Sequence, residues 1–114
     1  MRQWRIFRNV LIIETPVFTR RITKLMSDDS YRALQSYLAM DPETGRLIQG
    51  SGGLRKLRWS APGRGKRGGS RIIYYWITSK NTILMLMAFA KNERPDLSRE
   101  QLRMLRKLVE EELK

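Results

Sequence analysis

A small α+β domain, with a twisted, mainly antiparallel sheet and helices packed on one face, is the fold class the sequence predicts. Three observations predict it. Helix start signals stand near both ends of the chain, strand-like runs cluster between Leu54 and Phe89, and all eight glycines fall between Gly45 and Gly69. A length of 114 residues gives room for one domain with one modest core, because small chains bury only roughly two thirds of the surface they expose when unfolded. Met1 to Asn9 is taken as an N-terminal extension and residues 10–114 as a single domain.

Val10 to Ile13 is short, apolar and rich in β-branched residues, which predicts a strand. Thr15-Pro16 then offers an N-cap followed by proline at the first helical position, and Phe18, Ile22 and Leu25 recur at helical spacing. Ser27 caps a second helix, with Asp28 and Asp29 where the helix dipole favours negative charge and Tyr31, Leu34 and Leu38 as its apolar stripe. Pro42 disfavours helical geometry at Asp41 and ends that helix near Ala39 or Met40. Leu54 to Trp59 alternates, with Leu57 on one face and Lys56 and Arg58 on the other. Arg71 to Thr78 and Thr82 to Phe89 are two strands joined by Ser79-Lys80-Asn81. The second is apolar on both faces, which places it centrally. A last helix starts at a capping box of Ser98 and Gln101, with Leu97 stapled on Leu102 and a buried stripe of Leu102, Leu105 and Val109. Glu110 to Glu112 oppose its dipole, so this end frays or meets a basic surface.

The formal net charge is +12, and its distribution is uneven. From Thr44 to Asn92 there are ten basic side chains (Arg46, Arg55, Lys56, Arg58, Arg64, Lys66, Arg67, Arg71, Lys80 and Lys91) and no acid. Such a stretch, laced with Trp59, Tyr74, Tyr75 and Trp76, points to a polyanionic partner, RNA or DNA first. The chain has no cysteine and no histidine. That composition excludes disulfides, thiolate zinc sites, imidazole triads and most transition-metal sites, and leaves catalysis to Lys, Arg, Tyr, Ser or the acids. The longest apolar run, Ile83 to Ala90, is far below the roughly 20 residues of a membrane helix, and the arginine-punctuated start is no signal peptide. A soluble cytoplasmic protein without membrane association or cofactor is the expectation.

The loop Gly63 to Ser70 invites comparison with a phosphate-binding P-loop, and the pattern fails. No glycine stands five before Gly65, and Lys66 is followed by Arg67 instead of Ser or Thr. Arg64, Lys66 and Arg67 suit a grip on a sugar-phosphate backbone; the plain alternative is a solvated hairpin loop. Arg55 and Trp59 border that loop as further RNA-binding candidates, Trp59 either meeting a base or simply ending a strand. Tyr74, Tyr75 and Trp76 fit the core better than a stacking platform. Lys56, Arg58 and Arg71 converge without a compensating acid, an arrangement that depresses a lysine's pKa and suits proton transfer. As isolated charges they would only keep the sheet soluble. Lys91 and Glu93 sit at the tip beyond the central strand, where functional residues collect, although Glu93 and Asp96 could equally pair with Arg94 or Arg99.

The run Gly50-Ser51-Gly52-Gly53-Leu54-Arg55-Lys56-Leu57-Arg58, the loop Gly65-Lys66-Arg67-Gly68-Gly69-Ser70-Arg71-Ile72-Ile73-Tyr74-Tyr75, and Lys91-Asn92-Glu93 followed by Asp96-Leu97 together resemble the HigB branch of RelE-type toxins. The similarity runs from about Val10 to the C-terminal helix. It implies a RelE-like fold and the toxin of a type II toxin–antitoxin system, an endoribonuclease that cuts mRNA in the ribosomal A site. The partners it implies are mRNA on the ribosome and a cognate antitoxin, a small helix-turn-helix protein. In such enzymes the ribose 2′-hydroxyl attacks its own 3′-phosphate, and no metal is required. Carried over by position, the catalytic set is Lys56, Arg58, Arg71 and Lys91. Lys56 and Arg58 face the scissile phosphate, Arg71 stabilises developing negative charge, and Lys91 carries a proton or contacts phosphate. Lys91 is the first choice for the general base and Lys56 the second, with Tyr75 eligible only if its hydroxyl reaches the open face. Phe89 departs from the tyrosine that close HigB-like proteins tend to have. A non-catalytic RNA- or ribosome-binding module is the alternative from another class, and a DNA-binding regulator is disfavoured because no helix-turn-helix pair is visible.

Overall fold

Helices lie on both faces of one six-stranded sheet in the computed structural model, which describes residues 3–60, 69–93 and 96–114. In chain order the elements are β1 (Gln3–Phe7), β2 (Val10–Glu14), α1 (Pro16–Leu25), α2 (Asp28–Met40), β3 (Arg46–Leu47), β4 (Arg55–Trp59), β5 (Ser70–Ile77), β6 (Thr82–Ala90) and α3 (Arg99–Leu113). The strands lie in the order β1-β2-β6-β5-β4-β3. Only β2 and β6 pair in parallel; every other neighbouring pair is antiparallel. The α+β class is therefore the one expected, and β6 is an interior strand as its two apolar faces require.

The segment set apart as an extension contributes the edge strand β1. A two-residue turn, with Arg8 and Asn9 at φ 54° and 68°, joins it to β2. Positive φ at both central residues is the turn whose twist matches antiparallel strands, so the hairpin closes without a longer loop. The two-residue β3 is a further edge the sequence did not predict.

Helix starts follow their capping signals. The Thr15 hydroxyl accepts from the Phe18 N–H at 3.1 Å and donates to the Leu86 carbonyl at 2.9 Å, so the cap of α1 is also its anchor to β6. Ser27 accepts from the Ser30 N–H, and α2 ends at Met40. Ser98 and Gln101 exchange both bonds of the capping box. Between β5 and β6 the chain makes a turn of 3₁₀-helix over Thr78–Lys80, with Asn81 left-handed, so β5 ends one residue earlier than expected. At the far end of α3, the Glu112 carbonyl accepts from the Lys80 ammonium.

The placement of helices on one face is corrected. Phe18, Ile22, Leu34 and Leu38 of α1 and α2 pack with Ile12, Ile72, Tyr74, Ile83 and Met85. On the opposite face, Leu97 and Val109, with Leu102 and Leu105 beside them, pack with Leu54, Ile73, Leu84, Leu86 and Phe89. The physical reason lies in β5 and β6. Both strands are apolar at successive positions, and a helix on each side is what removes both sets from water.

Candidate functional site

Alternation along β4 sends Leu57 into the core under α1 and α2, so Lys56 and Arg58 point to the face that carries α3. Across the antiparallel ladder Arg58 stands opposite Arg71, Lys56 opposite Ile73, and Arg71 in turn opposite Phe89 of β6. Three of the predicted catalytic cations are thereby gathered on one face by strand register alone. Arg58 is exposed, whereas Arg71 retains 9% of its surface. Burial first, and the charge of Arg58 second, lower the pKa of Arg71, while Asp96 raises it. A guanidinium tolerates such a site because it holds its charge at any ordinary pH.

The fourth, Lys91, lies just beyond β6. Its side chain is exposed, and its N–H donates to the Gly69 carbonyl at 3.2 Å, which fastens the turn to the strand leading into Arg71. The turn is also clamped from α1. The Arg21 guanidinium donates to both carboxylate oxygens of Glu93 and to the Ala88 carbonyl. The Glu93 N–H donates to the Ala90 carbonyl at 3.0 Å.

One expectation about charge is corrected. The cations do have a compensating acid: Asp96, in the lead-in to α3, receives a hydrogen bond from the Lys56 ammonium at 2.9 Å and another on Oδ1 from the Leu97 N–H. Burial works to raise the Asp96 pKa, but the bonds from Lys56 and Leu97 and the charges of Lys56 and Arg71 outweigh it and hold the carboxyl below its usual value. Glu93 pairs with Arg21 and Asp96 with Lys56, while Arg94 lies outside the described residues. The acid-free interval in the sequence ends at Glu93, and folding returns Asp96 to the middle of it.

The RNA-binding candidates separate. Arg55 faces away from Lys56 and is bonded to the Glu43 and Gly45 carbonyls at 3.0 and 2.7 Å, bracing the turn after α2. Trp59 lies against α2, its indole donating to Ser30 Oγ at 3.2 Å and its ring 5.6 Å from that of Tyr37. Neither joins the cation face. Arg64, Lys66 and Arg67 lie outside the described residues. Tyr75 lies under α3, with the Arg106 guanidinium 5.6 Å from its ring centroid. Along β5 it is four residues from Arg71, about 13 Å at roughly 3.3 Å per residue. Tyr74 is wholly buried, and its hydroxyl accepts from the Gly45 N–H and donates to the Pro42 carbonyl, both at 2.8 Å.

Arg21 and Asp96 were missed as site residues because their partners are 72 and 40 positions away in sequence. Among the described residues no group of three or more carboxylates lies close enough to hold a metal ion, and no helix is long and apolar enough to cross a membrane.

Fold and site together define a small basic α+β domain with a cation cluster between two antiparallel strands. Residues 18–114 match the family model described as the RelE toxin of the RelE/RelB toxin–antitoxin system. The chain belongs to the RelE toxin family.

Proposed function

We propose that this protein is a HigB-type toxin acting as a metal-independent endoribonuclease on mRNA in the ribosomal A site, neutralised by a cognate helix-turn-helix antitoxin. The observation that carries the reading is the register of Arg58 against Arg71, with Lys56 on the same face, in a chain that matches RelE toxins. Two like charges directly opposite each other are destabilising in a sheet, and an anion between them reverses the sign.

In the proposed reaction the ribose 2′-hydroxyl attacks the adjacent phosphorus, and the bond from phosphorus to the 5′-oxygen breaks. A 2′,3′-cyclic phosphate and a 5′-hydroxyl result. The nucleophile loses one proton and the leaving oxygen gains one, so no other reactant is needed. Arg71 and Arg58 stabilise the charge that builds on the phosphoryl oxygens; one well-placed donor of this kind contributes on the order of 10²–10³ in rate. Lys91 carries the proton. It is preferred to Lys56 because the Lys56 ammonium is already engaged by Asp96, whereas Lys91 makes no ion pair with a described residue and its side chain is exposed.

Induction of the chain in growing cells, followed by mapping of mRNA 5′ ends, tests the reading. Wild type should arrest growth and create new ends in register with codons, and the Arg71→Ala and Lys91→Ala variants should not. Salt-dependent RNA binding without new ends would identify a non-catalytic RNA- or ribosome-binding module instead.

A further inference from the structure

An open cleft of about 640 Å³ lies between the turn at Gly50 and Gly52 and the side of α3, lined by Arg99, Leu102, Arg103 and Arg106. Arg99, Arg103 and Arg106 stand one helical turn apart along a single face. Arg99 and Arg103 are exposed. Arg106 is held in place, its Nε donating to the Gly52 carbonyl at 3.0 Å and its guanidinium lying over Tyr75. Its Nη1 is buried and has no hydrogen-bond partner among the described residues, the Glu110 carboxylate standing 3.8 Å away.

The opposite wall leaves room for an anion beside the exposed Arg99 and Arg103. Gly50 has φ 74°, and nothing lies within 4 Å of the place a Cβ would take. A ligand can therefore approach the backbone there. Among the described residues, Leu102 is the one apolar side chain lining the cleft. Protein partners are anchored by buried aromatic and aliphatic side chains, for which this surface offers almost no seat, whereas a polyanion needs only the charge. At one end of the cleft, Arg99 follows by three residues the Asp96 that bonds Lys56 of the cation cluster.

We infer that this cleft binds the phosphodiester backbone of single-stranded RNA beside the segment held at Lys56, Arg58 and Arg71. The choice of RNA rests on the endoribonuclease reading above. The full chain is titrated with a short, fluorescently labelled, 2′-O-methylated single-stranded RNA over a salt series, alongside the double variant Arg99→Gln, Arg103→Gln. Both positions are exposed, and an unchanged melting temperature establishes that the variant folds. Because the variant lacks two phosphate-neutralising cations, its slope of log affinity against log salt should be shallower by about 1.4, at about 0.7 per phosphate. An unchanged slope overturns the inference. So does tighter binding of a polyglutamate peptide that the double variant abolishes, which would make the cleft a seat for an acidic protein segment. If wild type cleaves mRNA in cells while the variant keeps its slope, the cleft assignment fails and the enzymatic reading stands. A lowered slope in a chain that never cleaves preserves the cleft and removes the enzyme.

Discussion

Arg58 of β4 and Arg71 of β5 are direct cross-strand partners, two cations held side by side with one of them almost fully buried. Directly opposed like charges cost a few tenths of a kcal/mol to about 1 kcal/mol. Arg58→Gln should therefore raise the stability of the free protein slightly while lowering RNA cleavage about 10²-fold or more. Urea melts at low and high salt check the first half. The stabilising effect should shrink as salt screens the pair. A variant that is less stable at low salt would contradict the arrangement.

Lys56 and Asp96 supply a pH-dependent term. The Asp96 pKa is depressed in the folded state, so the contribution is fully present above the ordinary carboxylate pKa and is lost as pH falls through the lower, folded value. The Asp96 side chain is 54% exposed, which keeps the term below about 1 kcal/mol. Wild type should be the more stable of the pair at neutral pH, and Asp96→Asn should close the gap as the medium is acidified below about pH 4. Denaturant midpoints across that range measure it.

Arg21 and Glu93 hold the turn that presents Lys91. Both side chains are about one third exposed, so Arg21→Ala should cost only about 1 kcal/mol of stability. Its effect on cleavage should be larger, because the Lys91 turn loses its clamp while the fold survives. Arg21→Lys should restore little, since an ammonium cannot bond both carboxylate oxygens and the Ala88 carbonyl in the same geometry. Cleavage rates beside thermal melts separate this positioning role from general destabilisation.

Tyr74 ties the β5 strand to the turn after α2. Tyr74→Phe leaves the Gly45 N–H and the Pro42 carbonyl unpaired inside the protein and should cost about 1–3 kcal/mol. Gly45→Ala should be damaging as well, because a Cβ there would come within 2.7 Å of the Tyr74 ring. Equilibrium unfolding of both variants tests this.

How far the sequence could be read follows from what is local in it. Thr15, Ser27 and the Ser98/Gln101 box are local capping signals, and each helix begins where they stand. Alternation in β4 correctly put Lys56 and Arg58 together, because a period of two needs no knowledge of neighbours. The turn at Arg8 and Asn9 was missed because it lacks the glycine that usually marks such hairpins. Helices on both faces were missed because apolar runs in β5 and β6 do not say which partner covers which side. Asp96 and Arg21 escaped for the same reason. Their roles exist only once loops bring residues distant in sequence together, and no periodicity records that.

The chemistry of the cut ends tests the central claim most directly. RNA from cells induced for the wild-type chain should carry 5′-hydroxyls and 2′,3′-cyclic phosphates at the new ends, and Arg71→Ala cells should lack those ends. New ends bearing 5′-phosphates would mean that water, not the ribose hydroxyl, attacked. That result, or the same ends in the Arg71→Ala cells, would contradict cleavage by this cation cluster.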